Sequence, residues 1–321
     1  MQAQELFPIP VVFIIFNRPE TTEKVFSEIQ KIKPKQLFVI ADGPRAQVPG
    51  EKEKCDAVRD MVLNGIHWNC QIMTNFSEIN LGCKKRISSG LNWVFSHVDC
   101  AIILEDDCLP NPSFFHFCEL MLKKYKDDPR IMMIAGTNYL SEKECPDFSY
   151  FFSQLFPIWG WATWKRAWTL YDINMTHWPL MKKDEYLKSI YNNKLFIHYI
   201  ERIFDDVFSG KDDTWDAQWF YSCIVHRGLC IMPSKNLVSN IGIAGTRPQI
   251  KQFINRPIFQ LNLLNINEPP IILVHPKIER NELKNLLNMA GYSYFKYFCT
   301  ILLKRIGIFN FIENIYLKIR G

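Results

Sequence analysis

Glu105, Asp106 and Asp107 follow directly on Cys100-Ala101-Ile102-Ile103-Leu104, an apolar run of strand length. Three carboxylates at one point repel each other, and burial disfavours their ionised forms, so a buried strand does not ordinarily end this way. A divalent cation at the strand's C-terminal end removes the conflict. Mg²⁺ and Mn²⁺ take carboxylate, phosphate and water oxygens, which is the donor type present. An acidic loop facing water would show the same triplet, and spacing alone does not choose which acid would touch a metal. More carboxylates gather at Asp212, Asp213 and Asp216, where one could remove a proton from an attacking hydroxyl. Asp212 and Asp216 are spaced for one helix face and Trp215 and Trp219 for another, as on any amphipathic helix.

Other residues gain meaning from the elements that would position them. Val11 to Phe16 and Leu37 to Ile40 read as strands, the first followed by Asn17-Arg18-Pro19 and the second by Ala41-Asp42-Gly43-Pro44. Pro19 suits a first helical turn, with Val25, Ile29 and Ile32 at helical spacing behind it. A polar helix is predicted over 51–64, a strand at Gln71-Ile72-Met73, a helix near 83–96, another from Pro112 to Tyr125, and a strand at Ile131 to Ile134. Strands alternating with helices of this length imply βαβ units and a mostly parallel sheet buried on both faces. In such sheets ligands bind beyond the carboxyl ends of the strands, which is where Arg18, Asp42 and the acidic triplet would meet. Gly82, with Lys84, Lys85 and Arg86 opening the next helix, could offer N–H groups and cations to an anion, although a solvated basic turn would look the same.

Composition narrows the classes. With 321 residues, 48% apolar and 14% aromatic, the chain can bury one large core or two moderate ones. The net charge of +5 comes from scattered basic residues, which argues against nucleic acid and suits a polyanionic ligand or an anionic membrane surface. None of the ten cysteines forms a CxxC pair, so they read as reduced core residues. The N-terminal stretch reads as neither signal peptide nor membrane span, and a cytoplasmic protein is expected. Seven of the nine tryptophans lie between Trp159 and Trp219, so composition shifts after about residue 145. Trp161, Trp164 and Trp168 are spaced for one helix face, which favours a core role. Trp159 and Gly160 would precede that helix and are better candidates for stacking on a sugar ring. Asn240-Ile241-Gly242 to Gly245-Thr246-Arg247 reads as a loop whose Arg247 could close over a diphosphate.

These segments together resemble the GT-A-fold glycosyltransferases of the family 2-like nucleotide-diphospho-sugar type, and are similar to inverting enzymes that add N-acetylglucosamine to mannose. The resemblance rests on Phe16-Asn17-Arg18-Pro19, Ala41-Asp42-Gly43, Asn80 to Arg86, Glu105-Asp106-Asp107 with Pro112 and Phe114-Phe115, and Trp215-Asp216 with Trp219, over roughly residues 8–245. It implies a Rossmann-like, mostly parallel sheet flanked by helices. The GT-A domain would cover 1–250, with a nucleotide-binding half at 1–135 and an acceptor-binding half at 136–250; outside the resemblance, a C-terminal extension of amphipathic helices is expected over 251–321.

The resemblance also assigns roles. Phe16, Asn17, Arg18, Asp42, Gly82, Lys85, Glu105 and Asp106 would hold the nucleotide, and Asp107 would bind Mn²⁺ or Mg²⁺. Independently of the resemblance, Trp159, Gly160, Trp161 and Arg247 would contact sugar or acceptor. Asp216 would be the catalytic base, with Asp213 as second choice because the gap to Trp219 is longer here than in the family segment. The implied partners are a UDP-sugar donor and a glycan or glycolipid acceptor. A sugar-nucleotide-forming nucleotidyltransferase shares the fold plan but resembles a Gly-rich first loop with a lysine, where this chain has Asn17-Arg18-Pro19. An inactive binding subunit is the third reading, against which the acids are intact. Outside the resemblance, the 292–321 tail repeats aromatic and polar residues at helical spacing and fits two amphipathic helices, for a membrane interface or as packing.

Overall fold

The computed structural model describes residues 6–242 and 254–292. The first half alternates as the sequence predicts: β1 (Val11–Ile15), α1 (Pro19–Ile32), β2 (Gln36–Ala41), α2 (Glu51–Asn64), β3 (Gln71–Phe76), α3 (Gly82–His97), β4 (Cys100–Glu105), the short β5 (Cys108–Pro110), α4 (Pro112–Lys124) and β6 (Ile131–Ala135). The second half is β7 (Tyr150–Ser153), β8 (Trp161–Trp164), α5 (Lys165–Trp168), α6 (Trp178–Lys183), α7 (Lys194–Phe208), α8 (Asp216–Val225), β9 (Leu229–Pro233), β10 (Val238–Asn240) and α9 (Pro276–Met289).

Eight strands form one mixed sheet in the order β3-β2-β1-β4-β8-β6-β9-β7, and β5 and β10 form a small antiparallel pair beside it. β1, β2, β3 and β4 run parallel, β8 runs against both β4 and β6, and β6 is parallel to β9. Six strands therefore share a direction, giving the expected α/β, Rossmann-like sheet flanked by helices. Its centre is legible from composition: Val11-Val12-Phe13-Ile14-Ile15 is buried on both faces, as a doubly covered parallel strand requires. Alternate side chains feed two cores. Val12, Ile40, Ile103 and Trp161 pack with α3, α7 and α8, while Phe13, Val39, Leu104 and Ala162 pack with α1, α2 and α4. Each fully buried Phe, such as Phe13 or Phe38, contributes roughly 2–3 kcal/mol.

Two local expectations are corrected. Trp161 to Trp164 is a strand, not the start of a helix, and only Lys165–Trp168 is helical. The gap between β4 and β6 is filled by these four buried residues, and ladder pairing overrides the helical spacing of the tryptophans. Asp212 and Asp213 do not share a helix with Asp216, because α8 begins at Asp216 and the other two lie in the preceding loop.

The extension folds back on the sheet. Residues 254–275 are largely irregular, and α9 then joins the core that contains α7. Its Glu282 is fully buried, accepts from Ser153 Oγ on β7 at 2.9 Å, and is pushed by burial up to about 8. The amphipathic repeats of the tail lie outside the described residues apart from Tyr292, as does Cys299. No disulfide joins the nine described cysteines, and no helix among the described residues is long and apolar enough to cross a membrane.

Candidate active site

The carboxyl ends of β1, β2, β4 and β6 open on one edge of the sheet, and β8, being reversed, begins there. Arg18, Asp42, Glu105-Asp106-Asp107, Thr137-Asn138 and Trp159-Gly160 are thus neighbours along one rim. The chain turns at Asp106-Asp107 between β4 and β5. Arg18, at the N-cap of α1, places Nη1 3.2 Å from Asp106 Oδ1 and 2.7 Å from Asp107 Oδ2. The Phe16 N–H donates to Asp106 Oδ2 at 3.1 Å, which seats the triplet against the end of β1.

Glu105 is placed differently. It shares a sheet face with Ile103, whose ladder partner is Trp161, so the two side chains are diagonal neighbours. Glu105 Oε1 and Trp161 Nε1 are both buried with no partner among the described residues. Burial pushes the Glu105 carboxyl well above the usual range, and Asp107, Asp106 and Asp216 push it further, against the pull of Arg18. Burial also raises Asp106, although Arg18 opposes it. Four acids with one cation between them leave this pocket short of positive charge.

Asp216 opens α8 above this pocket. Its Oδ1 accepts from Thr214 Oγ1 and from the Ala217 N–H at 2.9 Å, leaving Oδ2 as the oxygen for other work. Asp213 is directed elsewhere: its Oδ2 stands 2.6 Å from where a Cβ on Gly82 would lie. Gly82 has φ +79°, so both its conformation and this close approach require glycine. Trp161 is fully buried, with its ring stacked on Trp215 at 5.5 Å and tilted against Trp219 at 5.7 Å. Its indole edge, rather than its ring face, is what it can offer a ligand. Trp159 is half-buried and its carbonyl accepts from Thr137 Oγ1 at 3.0 Å, while Gly160 (φ +63°) sits against Val238. Arg247 lies outside the described residues.

On the β2 side the polar groups are internally matched. Asp42 Oδ1 accepts from the N–H groups of Gly43 and Leu81, both at 2.9 Å, and Oδ2 accepts from Gly82 at 3.1 Å. This carboxylate ties the end of β2 to the start of α3. Lys85, on the first turn of α3, is exposed. Sequence reasoning missed the network beside it. Glu51, 2% exposed, accepts from Asn17 Nδ2 at 2.7 Å and from Arg45, whose Nη2 lies 2.5 Å from Oε1. The Arg45 hydrogen bonds hold Glu51 at about 2, and the Arg45 guanidinium stands 5.8 Å over the Phe16 ring. Arg59 joins the same wall by donating to the carbonyls of Asp42 and Ser77. An acid in the first turn of α2 was the only local signal for Glu51. Its partners come from other elements.

Asn240, Ile241 and Gly242, read from the sequence as loop, cover Asp107. The Ile241 N–H donates to the Asp107 carbonyl at 2.8 Å, and a Cβ on Gly242 would lie 2.7 Å from Asp107 Oδ2. The residues fit a hard divalent cation in donor chemistry: all are carboxylate oxygens, they are mutually repelling, and one is an orphaned buried acceptor. Among the described residues no three His, Cys, Asp or Glu side chains converge into a ready cage.

No protein-family profile matches this chain, and no curated protein sequence matches it significantly. Solved structures similar to it include a mannosyltransferase from Pyrobaculum calidifontis in complex with GDP-mannose and Mn²⁺, at 14% identity and TM-score 0.32, covering 48% of this chain and 44% of that one. The inositol-1-phosphate CTP transferase from T. maritima is similar at 9% identity and TM-score 0.35, covering 69% and 84%. The galactosyltransferase LgtC, in complex with donor and acceptor sugar analogues, is similar at 11% identity and TM-score 0.36, covering 88% and 95%. At these identities and scores the likeness carries no functional argument, which falls to the geometry of the site.

Proposed function

We propose that this chain is a metal-dependent glycosyltransferase that moves a sugar from a nucleotide-diphospho-sugar, of the UDP type, to a hydroxyl of a glycan or glycolipid acceptor with inversion, in surface polysaccharide or glycoconjugate synthesis. The observation that carries the proposal is the meeting of Arg18, the 105–107 acids and Asp216 at one edge, with a buried acceptor left unmatched. Asp107 would hold Mn²⁺ or Mg²⁺. When bound, the ion supplies charge neutralisation for the diphosphate leaving group. Arg18, which bonds Asp106 and Asp107, would donate to phosphate oxygens of the donor. Glu105 and the Trp161 indole N–H offer an acceptor and a donor to sugar hydroxyls. Asp216, its Oδ1 fixed by Thr214 and Ala217, is oriented to take the proton from the attacking hydroxyl at Oδ2. The electrostatic neighbourhood of Asp216 and Glu105 favours it over Asp213, which packs on the α3 start.

The test is binding and slow hydrolysis of UDP-, GDP-, dTDP- and CMP-sugars with Mn²⁺. Asp107→Asn is expected to abolish metal-dependent binding, and Asp216→Asn to spare binding while lowering transfer by about 10²–10⁴-fold. Absence of metal-dependent binding of every sugar nucleotide would sink the proposal, and full transfer by Asp216→Asn would sink the base assignment.

A further inference from the structure

From Ala217 to Asn267 the chain has no Asp or Glu but carries Arg227, Lys235, Arg247, Lys251 and Arg256, as many cations as the whole net charge of +5. Arg227 sits before β9, at the opposite end of the sheet from the site. Lys235 and Arg256 lie at the carboxyl edge, on the β6 and β9 side. Lys235 is paired with Glu142 at 2.7 Å. Arg256 is not. Its half-buried guanidinium donates Nη1 to the Asn138 carbonyl, has Tyr139 and Cys145 as its nearest titratable neighbours, and has no carboxylate partner among the described residues.

Other buried arginines have carboxylates or several carbonyls near them, although Arg86, which bonds Asn75 Oδ1 within the field of Asp42, keeps Nε without a partner among the described residues. Arg18 meets two carboxylates, and Arg166 spreads its donors over the carbonyls of Tyr125, Lys126 and Ile131. A desolvated cation without a counter-ion is unfavourable unless something supplies one. The position of Arg256 is also built. Asn236 Nδ2 donates to the Pro257 carbonyl at 3.0 Å, Asn236 Oδ1 accepts from the Asn138 N–H at 3.2 Å, and the Asn255 N–H donates to the Asn240 carbonyl at 2.8 Å. These bonds clamp the residue between the loops that follow β6 and β9. Only β8 separates β6 from β4, so the end of β6, beyond which Asn138 receives Arg256, lies about 10 Å along the rim from the end of β4 that carries the acids.

We propose that Arg256 anchors an anionic group, phosphate or carboxylate, carried by the acceptor next to the hydroxyl that is glycosylated. The inference rests on the glycosyltransferase reading for the word acceptor, but the anion site itself does not. A guanidinium fork binds either oxyanion in a bidentate manner. Ligand-induced stabilisation of the full chain and of Arg256→Gln and Arg256→Lys is measured with inorganic phosphate, glucuronate and neutral glucose, and UDP-sugar binding is measured in parallel. Phosphate or glucuronate should bind the wild-type chain, at least about tenfold more weakly to Arg256→Gln, with partial retention in Arg256→Lys. Glucose should not distinguish the three. The stronger of the two anions then identifies the acceptor as phosphorylated or uronic. Equal anion binding by wild type and Arg256→Gln, or none by wild type, overturns the inference. Loss of sugar-nucleotide binding in all three chains, with anion binding intact, overturns the glycosyltransferase reading instead.

Discussion

Glu51 and Glu105 both hold carboxyl oxygens away from water beside the same rim, and their surroundings treat them in opposite ways. Glu51 receives Asn17, the Arg45 N–H and the Arg45 guanidinium, and is held at about 2. Asp42 next to it has three backbone donors. Glu105 instead keeps Oε1 unmatched and faces Asp107, Asp106 and Asp216. Burial is shared by both, so the difference lies in donors. Where donors are complete, the carboxylate fixes loops to helices. Where they are missing, folding has left a deficit that a ligand can fill.

The sharpest way to break this contrast is Glu105→Gln. If the deficit serves function, the amide should raise thermal stability at neutral pH by removing the cost of burying a carboxyl that must stay protonated, while lowering transfer by about a hundredfold. A drop in stability with unchanged transfer would place Glu105 with Glu51. Glu51→Gln should do the reverse, lowering stability at neutral pH by about 2 kcal/mol in denaturant unfolding. The sign of its pH dependence follows from a folded value of about 2 against an ordinary 4.5. The Glu51 contribution is complete above 4.5 and fades as pH falls toward 2, so wild type and variant should converge across that window.

Glu282 stands between the two cases, fully buried with one donor from Ser153 and a carboxyl raised to about 8. From about pH 4.5 to 8 the unfolded chain releases a proton that the folded chain keeps, so wild-type stability declines as pH rises. Glu282→Gln should remove that decline and gain steadily on wild type as pH rises from about 4.5 to 8 in parallel melts. A difference independent of pH would show that Glu282 folds ionised.

The legible parts of this molecule are those whose environment is local or symmetric. β1, β2, β4 and β6 are covered on both faces, so they appear as unbroken apolar runs. The triplet 105–107 stands out because it interrupts one of them. β8 was misread because Trp161, Trp164 and Trp168 satisfy a helical period, and only the vacancy between β4 and β6 makes Trp161 to Trp164 a strand. Arg45 and Glu51 escaped because Asn17 reaches them across space from another loop. The direction of Asp213 toward Gly82 is set by tertiary packing that no spacing encodes.

The reversed strand β8 also dictates an order of events. β4 is made early, yet the neighbour that completes its ladder, pairing Cys100 with Trp164 and Ile103 with Trp161, arrives only after α4, β6 and β7 have been made. Until then the strand that ends in the acids has one side of its backbone open, and closing that long loop is a slow, entropically opposed step. The last strand into the centre of the sheet is the one that brings Trp159 and Trp161 beside Glu105. Closing the sheet at β8 and seating Trp161 beside Glu105 are therefore one event, to which α8 then adds Asp216.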